Sequence, residues 1–298
     1  MNYLITGGTG LIGKAFIERL PKDTSQVTVL TRNTAKANKL LGSAINCIDK
    51  LTVNDIENSD VVLNLAGEPI ADKRWSDGQK NKICHSRWDI TQQLVDLINQ
   101  AKNPPTVFIS GSAIGIYGRQ NKLPINESFE QFHREFTHHI CSSWENIALS
   151  VTTRQTRVAI LRTGIVLAEN KGALEKMTPP FKFGLGGKIG DGEQMMSWIH
   201  IDDMVAAISH IEANKTLQGA INLTAPNPVS NVQFTHALAA SLNRPCRFTT
   251  PAWVLKIMFG EMSDILLFGQ NVVPTKLIDS GFSFKYPTVE EALVSLMQ

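Results

Sequence analysis

The stretch Leu4-Ile5-Thr6-Gly7-Gly8-Thr9-Gly10-Leu11-Ile12-Gly13 decides how the rest of this chain is read. An apolar, β-branched run, Tyr3–Thr6, stops at a glycine, and an amphipathic run with helical spacing, Ile12–Leu20, follows at once. Glycines at 7, 10 and 13 each have a task between such elements. Gly7 permits the tight turn, Gly10 lets the backbone approach a diphosphate, and Gly13 lets the helix pack against the strand. The free N–H groups from Thr9 through Leu11 and Ile12 then face phosphate oxygens at the positive end of the helix. The plainer reading is a tight strand-to-helix turn with no ligand. The strand–turn–helix context and a matching second strand favour a dinucleotide.

Working outward, short apolar runs alternate with longer amphipathic ones. Val27–Thr31, Val61–Leu65, Thr106–Ser110 and Val158–Arg162 read as buried parallel strands, with a weaker one near Ala44–Ile48. Between them, Thr34–Leu41, Ser76–Gln100 and His133–Ser150 read as helices. This order predicts an α/β protein with a doubly wound parallel sheet, an NAD(P)-binding Rossmann fold. After residue 165 the rhythm loosens. Gly184–Gly192 reads as a loop or hairpin, a helix follows Asp202, Ile221–Thr224 is a strand, and Val232–Leu242 is a helix. The tail from Pro251 reads as short helices ending at Pro287.

The end of the second strand separates the two nicotinamide dinucleotides. An acidic residue there would bind the adenosine ribose hydroxyls and repel a 2′-phosphate. This chain has Leu30-Thr31-Arg32-Asn33 instead. Arg32 is a permanently charged planar donor suited to phosphate, and Thr31 adds a hydroxyl, so NADP is expected over NAD. The alternative is a solvated charge at a strand end.

A net charge of +2 with scattered Lys and Arg gives no electrostatic case for nucleic acid or a membrane surface. No apolar run approaches the roughly 18–20 residues that span a bilayer. The start is an apolar strand rather than a targeting segment, so a soluble cytoplasmic protein is expected. Cys47, Cys84, Cys141 and Cys246 form no CxxC pair, and adjacent His138 and His139 diverge on a helix, so no metal site is expected.

With these residues in place, the chain resembles the extended short-chain dehydrogenase/reductases of the nucleotide-sugar epimerase and dehydratase type. The resemblance rests on Asn64-Leu-Ala-Gly67, Ser110-Gly-Ser-Ala-Ile-Gly-Ile-Tyr-Gly118 (with one extra residue), Pro124–Glu127, Leu161-Arg-Thr-Gly-Ile165 and Trp198-Ile-His-Ile-Asp-Asp203. Within that group it resembles an atypical "epimerase family protein" branch. That match rests on Gly67-Glu-Pro-Ile-Ala71, Ser86-Arg87, Met196–His200, Thr224-Ala-Pro-Asn-Pro228, Gly260-Glu-Met262 and a C-terminal extension from about residue 251. The resemblance implies that Leu65, Ala66, Gly67 and Arg162 lie against the cofactor. It also implies Arg87, Lys176 and Trp198 on the substrate side, each equally readable as helix surface or core. A homodimer through Ser76–Gln100 and His133–Ser150 is implied as well.

One departure is decisive for chemistry. The superfamily uses a Tyr-x-x-x-Lys pair, whose spacing stacks both side chains on one helix face so that the ammonium lowers the phenol pKa. The chain's tyrosines are Tyr3, Tyr117 and Tyr286, and four residues beyond them stand Gly7, Asn121 and Glu290. Aligning the helix on Glu145 puts Thr137 at the Tyr position and Cys141 at the Lys position. Ser112, with Ser110 as competitor, is the candidate for polarising a substrate oxygen, or it caps the strand end. Tyr117 is either a proton donor from the opposite side or a residue packed under its loop. Cys141 is a nucleophile or a packed thiol, and Glu127 a general base or an exposed loop carboxylate. His200 donates to a substrate anion or bonds the following turn.

The expected organisation is a Rossmann domain over residues 1–225, part of the substrate lobe being inserted from about 165, and a smaller C-terminal lobe over 226–298. The expected function is an NADP-dependent oxidoreductase or epimerase-like enzyme acting on a small molecule with a non-standard proton donor. The rival is a catalytically silent NADP-binding protein that senses redox state or regulates a partner.

Overall fold

The structure, a computed structural model, describes residues 1–297. In chain order its elements are β1 Asn2–Thr6, α1 Leu11–Arg19, β2 Gln26–Leu30, α2 Thr34–Leu41, β3 Asn46–Ile48, α3 Val53–Glu57, β4 Val61–Asn64 and α4 Asp77–Gln100. Then come β5 Val107–Ala113, α5 Phe136–Ala148, β6 Arg157–Thr163, β7 Ile165–Ala168, α6 Gly172–Lys182, β8 Gly187–Ile189, β9 Met195–Met196 and β10 Trp198–His200. The rest are α7 Ile201–Ala213, β11 Gly219–Leu223, β12 Val229–Ser230, α8 Asn231–Ser241, β13 Phe248–Thr250, α9 Ala252–Phe259, α10 Asp264–Leu267, α11 Thr275–Asp279 and α12 Val289–Met297.

Seven strands form one parallel sheet in the order β3-β2-β1-β4-β5-β6-β11. Neighbouring residues of a strand face opposite sides, and here both sides are covered. Ile5, Leu63 and Ile109 join Phe16 of α1 and Met204 and Ile208 of α7 on one face. Leu4, Val62 and Phe108 join Leu94 and Ile98 of α4 and Ala148 of α5 on the other. This is why these strands carry unbroken apolar runs. A separate core, built from Leu167, Leu174, Trp198, Phe234, Leu238 and Leu293, organises the smaller lobe.

Three details differ from the sequence expectation. Gly184–Gly192 is no hairpin, because β8 inside it pairs in parallel with the distant β13. α6 was not anticipated: Pro179 and Pro180 within it remove two N–H donors and mask its helical signal. The tail does not end at Pro287. Thr288 Oγ1 accepts from Glu291 N (3.5 Å), and α12 follows, burying Val289, Ala292, Leu293 and Leu296 in the second core. Among the described residues no helix is long and apolar enough to cross a membrane.

The first turn leaves no room for a side chain: a Cβ on Gly13 would stand 2.5 Å from the Gly7 carbonyl oxygen and 2.8 Å from Gly8 Cα. Both are backbone atoms held by β1 and α1. Gly13→Ala should therefore cost about 1–3 kcal/mol, as other overpacking substitutions do, measured as a lower denaturant midpoint with an unchanged m-value.

Candidate functional site

In this strand order, ligands bind beyond the carboxyl ends of the strands, where β1 and β4 diverge. Gly7 occupies φ +70°, and a Cβ there would meet the Leu65 carbonyl oxygen at 2.5 Å. Gly10 N donates to Gly7 O (2.9 Å), and Gly10 caps α1 with no side-chain bond to the helix. The first turn holds no acidic residue, and Thr9 and Gly10 are exposed. The N–H groups of Leu11, Ile12 and Gly13 thus belong to an open, uncapped helix start that suits a diphosphate. Leu65 N donates to Thr6 O (3.1 Å) and Ala66 N to Thr6 Oγ1 (3.2 Å), which ties the Leu65–Gly67 loop to the same turn. At the neighbouring strand end Arg32 is exposed, while Thr31 Oγ1 accepts from Asn33 N (3.3 Å). The structure therefore gathers these sequence-predicted residues along one edge of the sheet.

Arg162 is placed elsewhere. It pairs across the sheet with Ser112, each one residue before the end of its strand. Its Nε donates to Glu145 Oε1 (2.9 Å), Nη2 to Glu145 Oε2 (2.8 Å) and Nη1 to the Tyr117 hydroxyl (3.0 Å). Ser112 Oγ donates to Glu145 Oε1 (2.7 Å), and the Tyr117 hydroxyl donates to Asn222 Oδ1 (2.7 Å). All five residues are buried. Every guanidinium nitrogen has a protein partner, so Arg162 is held inward by Glu145 and Tyr117. Ser112 has committed its only proton to a carboxylate and cannot donate to a substrate oxygen. Tyr117 is fully buried, and burial raises its pKa against the opposing pull of Arg162. These three expected site residues form an internal ion-pair network instead.

A family model for the NAD dependent epimerase/dehydratase family matches residues 3–223. The chain belongs to that family. A second model, Domain of unknown function (DUF1731), matches residues 250–296. Among its relatives is an Arabidopsis thaliana protein named epimerase family protein SDR39U1 homolog, chloroplastic. It is 37% identical, with 100% of this chain and 87% of that protein covered. An epimerase family protein of Staphylococcus saprophyticus is 36% identical over 99% of both chains. The crystal structure of human epimerase family protein SDR39U1, determined with NADPH, superposes with a TM-score of 0.89 at 29% identity, covering 100% of this chain and 99% of that one.

Thr137 and Cys141 are the residues that the resemblance sets at the places of the Tyr and Lys. Thr137 and Cys141 lie on one face of α5 against the end of β5, since a Cβ on Gly115 would meet Thr137 Cβ at 3.1 Å and Cys141 Sγ at 3.7 Å. Burial, with Glu145 nearby, pushes the Cys141 thiol up to about 12, so it is a packed thiol at neutral pH. Ser110, the competitor of Ser112, is held by Asn64 Nδ2 (3.3 Å). Glu127 is neither base nor exposed loop carboxylate. Its Oε1 accepts from Asn222 N (3.0 Å) and Lys276 N (3.3 Å), stapling the C-terminal extension to β11.

Trp198 is fully buried in the second core and touches no solvent, which removes it from the substrate side. Lys176 on α6 bonds Ala71 O (2.8 Å) and pairs with Asp72, clamping the loop that follows Gly67. His200 caps α7 by accepting from Asp202 N (2.9 Å) through Nδ1, the turn-bonding role foreseen for it. Burial pulls its pKa down to about 4, so the capping imidazole is neutral. Arg87 reaches from α4 under Gly67.

Sequence reasoning missed Asn222 and the bonding of Glu127. A buried Arg demands a carboxylate, a signal that pointed to some acid without saying which one.

Glu145→Ala would leave Arg162 buried without its counter-charge and should cost about 3–5 kcal/mol in denaturant unfolding. Ser112→Ala, which removes one hydrogen bond, should cost about 1 kcal/mol. His200 gives a pH test. Below its ordinary pKa of 6.5 the unfolded chain takes up a proton that the folded chain refuses until about pH 4, so stability falls as pH drops through that window. His200→Asn keeps a capping acceptor without the proton. It should lose on the order of 2 kcal/mol less than the parent between pH 7 and 4.5, measured by urea unfolding at both values.

Proposed function

We propose that this chain binds NADP(H) and acts as an oxidoreductase or epimerase-like protein on a small-molecule alcohol or carbonyl. The observation that carries the reading is the open glycine cradle with Arg32 exposed at the end of β2 and no acidic residue in Leu30–Asn33. The glycine positions 7, 10 and 13 have no room for a Cβ or border the diphosphate face, so the residues present fit the dinucleotide. Thr9–Gly13 would hold the diphosphate through backbone N–H groups, and Arg32 with Thr31 would hold the 2′-phosphate. Leu65–Gly67 would line the other side. The human relative's structure with NADPH supports the choice of dinucleotide.

When bound, the nicotinamide supplies or accepts a hydride. The chain's own residues would bind and orient, while the proton would come from a group other than Ser112 and Tyr117, whose hydroxyls are engaged internally. The second reading, an NADP-binding protein without turnover that senses redox state or regulates, is favoured by Thr137 and Cys141 standing where the pair is absent.

Fluorescence titration tests the first part. NADPH should bind more tightly than NADH, and Arg32→Ala should weaken NADPH about tenfold or more while leaving NADH unchanged, the loss of one charge-assisted phosphate contact. Equal affinities for both dinucleotides, or an unaffected variant, would overturn the NADP assignment. NADPH oxidation with a panel of sugar nucleotides and small carbonyls separates the two readings: turnover supports the enzyme, and tight binding without turnover supports the silent protein.

A further inference from the structure

The family pattern calls for a cation at position 141, and the structure has a thiol there. A cation nevertheless stands beside it, carried on a different helix. Arg87 projects from α4 between Gly67, just after β4, and Trp144 on α5, near enough to Cys141 for their charges to interact. Its guanidinium lies against Gly67: a Cβ on that glycine would meet Arg87 Cζ at 2.9 Å, Nη2 at 3.1 Å and Nε at 3.2 Å. Its other side faces the Trp144 ring, with Cζ 5.4 Å from the centroid. Trp144 is itself seated by Gly111, where a Cβ would meet the indole at 2.8 Å, and by a hydrogen bond from its Nε1 to Thr91 Oγ1 (2.9 Å). Two glycines and a tethered indole therefore make a slot one guanidinium thick.

The hydrogen bonds show which edge of the group is free. Nη1 donates to Ile83 O (2.9 Å) and to Ser86 Oγ (3.4 Å). Nε and Nη2, the parallel fork that arginine uses for bidentate contacts, have no hydrogen-bond partner among the described residues. Neither atom is fully enclosed. Arg87 forms no ion pair among the described residues, in contrast to Arg162. Glu68 lies near it but makes no ion pair with it, so this half-buried, pinned guanidinium is costly on its own, and an oxygen ligand on Nε and Nη2 would offset that cost.

The position tells which part of a dinucleotide it would meet. In this sheet order β1–β3 carry one mononucleotide half and β4–β6 the other, with the diphosphate at the first turn between them. Gly67 adjoins that turn through Leu65, and Arg87 lies on the β4–β5 side. We infer that Arg87 takes the place of the lysine absent at 141, its Nε/Nη2 fork receiving oxygens of the nicotinamide half of NADP(H). This inference rests on the proposed NADP(H) binding. It assigns to α4 a charge that the family pattern carries on α5.

The test compares two probes, NADPH and adenosine 2′,5′-bisphosphate, which has the 2′-phosphate but lacks the nicotinamide half. Arg87→Gln should weaken NADPH about tenfold while leaving the bisphosphate unchanged, and Arg87→Lys should recover part of the loss. Arg87→Gln/Cys141→Lys, which returns the cation to α5, should also recover NADPH affinity. Arg32→Ala should weaken both probes. Calorimetric titration reads the affinities, and a thermal midpoint for each unliganded variant confirms folding. NADPH affinity unchanged in folded Arg87→Gln overturns the inference while Arg32→Ala still reports on the NADP assignment. An equal loss on both probes also overturns it, because that is the signature of general distortion. Failure of the parent protein to bind either probe would instead sink the proposed function.

Discussion

The buried ion pair between Arg162 and Glu145 is the interaction on which the site end of this fold depends. Arg162 is on β6 and Glu145 on α5, and the pair gathers Ser112 from β5, Tyr117 from the turn after it, and Asn222 from β11. Asn222 continues outward by donating through Nδ2 to Val273 O (3.0 Å) in the C-terminal extension. One desolvated charge pair, with every guanidinium nitrogen bonded, thus sets the relative positions of three strands, a helix and the last part of the chain. Such a pair adds little net stability over an apolar replacement, but removing either partner strands the other in a low-dielectric interior. Its consequence here is positional.

The same pair separates the open cradle from the hydroxyls behind it. The cradle at Gly7–Gly13 is made of backbone, requires only room and a helix start, and remains open. The hydroxyls that family chemistry would draw on are bound into the interior. The extension adds to this closure. Gly269–Val273 is bonded to Gln120, Ile125 and Ser197, and Asn222 and Thr224 donate to its Val273 and Val272 carbonyls, so the carboxyl end of β11 is covered by the chain's own backbone. The positive charges near the sheet's edge then divide by role: Arg162 is neutralised inside, Arg32 is exposed, and Arg87 keeps Nε and Nη2 unbonded among the described residues.

Much of the fold was legible because parallel strands covered on both faces leave a strong local mark, runs of β-branched and apolar residues bounded by turn formers. Val61–Asn64 and Val107–Ala113 lie within a few residues of where those runs put them. α6 left no such mark, since consecutive prolines lie inside it, and its stability comes from Leu174 and Phe181 packing into the second core. α12 was hidden behind Pro287, where a stop signal proved to be a start. Trp198 and Lys176 were assigned by family position, and only packing could send one to the core and the other to a surface clamp.

What the sequence determined by itself is the phosphate-facing turn and the charge at the end of β2, because both depend on neighbours within a few residues and on backbone geometry that glycine alone permits. It also established that no Tyr-x-x-x-Lys pair exists, which is a matter of spelling. Tertiary structure decided where the polar side chains went. Ser112, Tyr117, Arg162 and Glu145 come from separate elements, and whether such groups face a ligand or one another depends on desolvation. Burying a charge forces it to find partners, and those partners lie tens of residues away, where no local pattern records them.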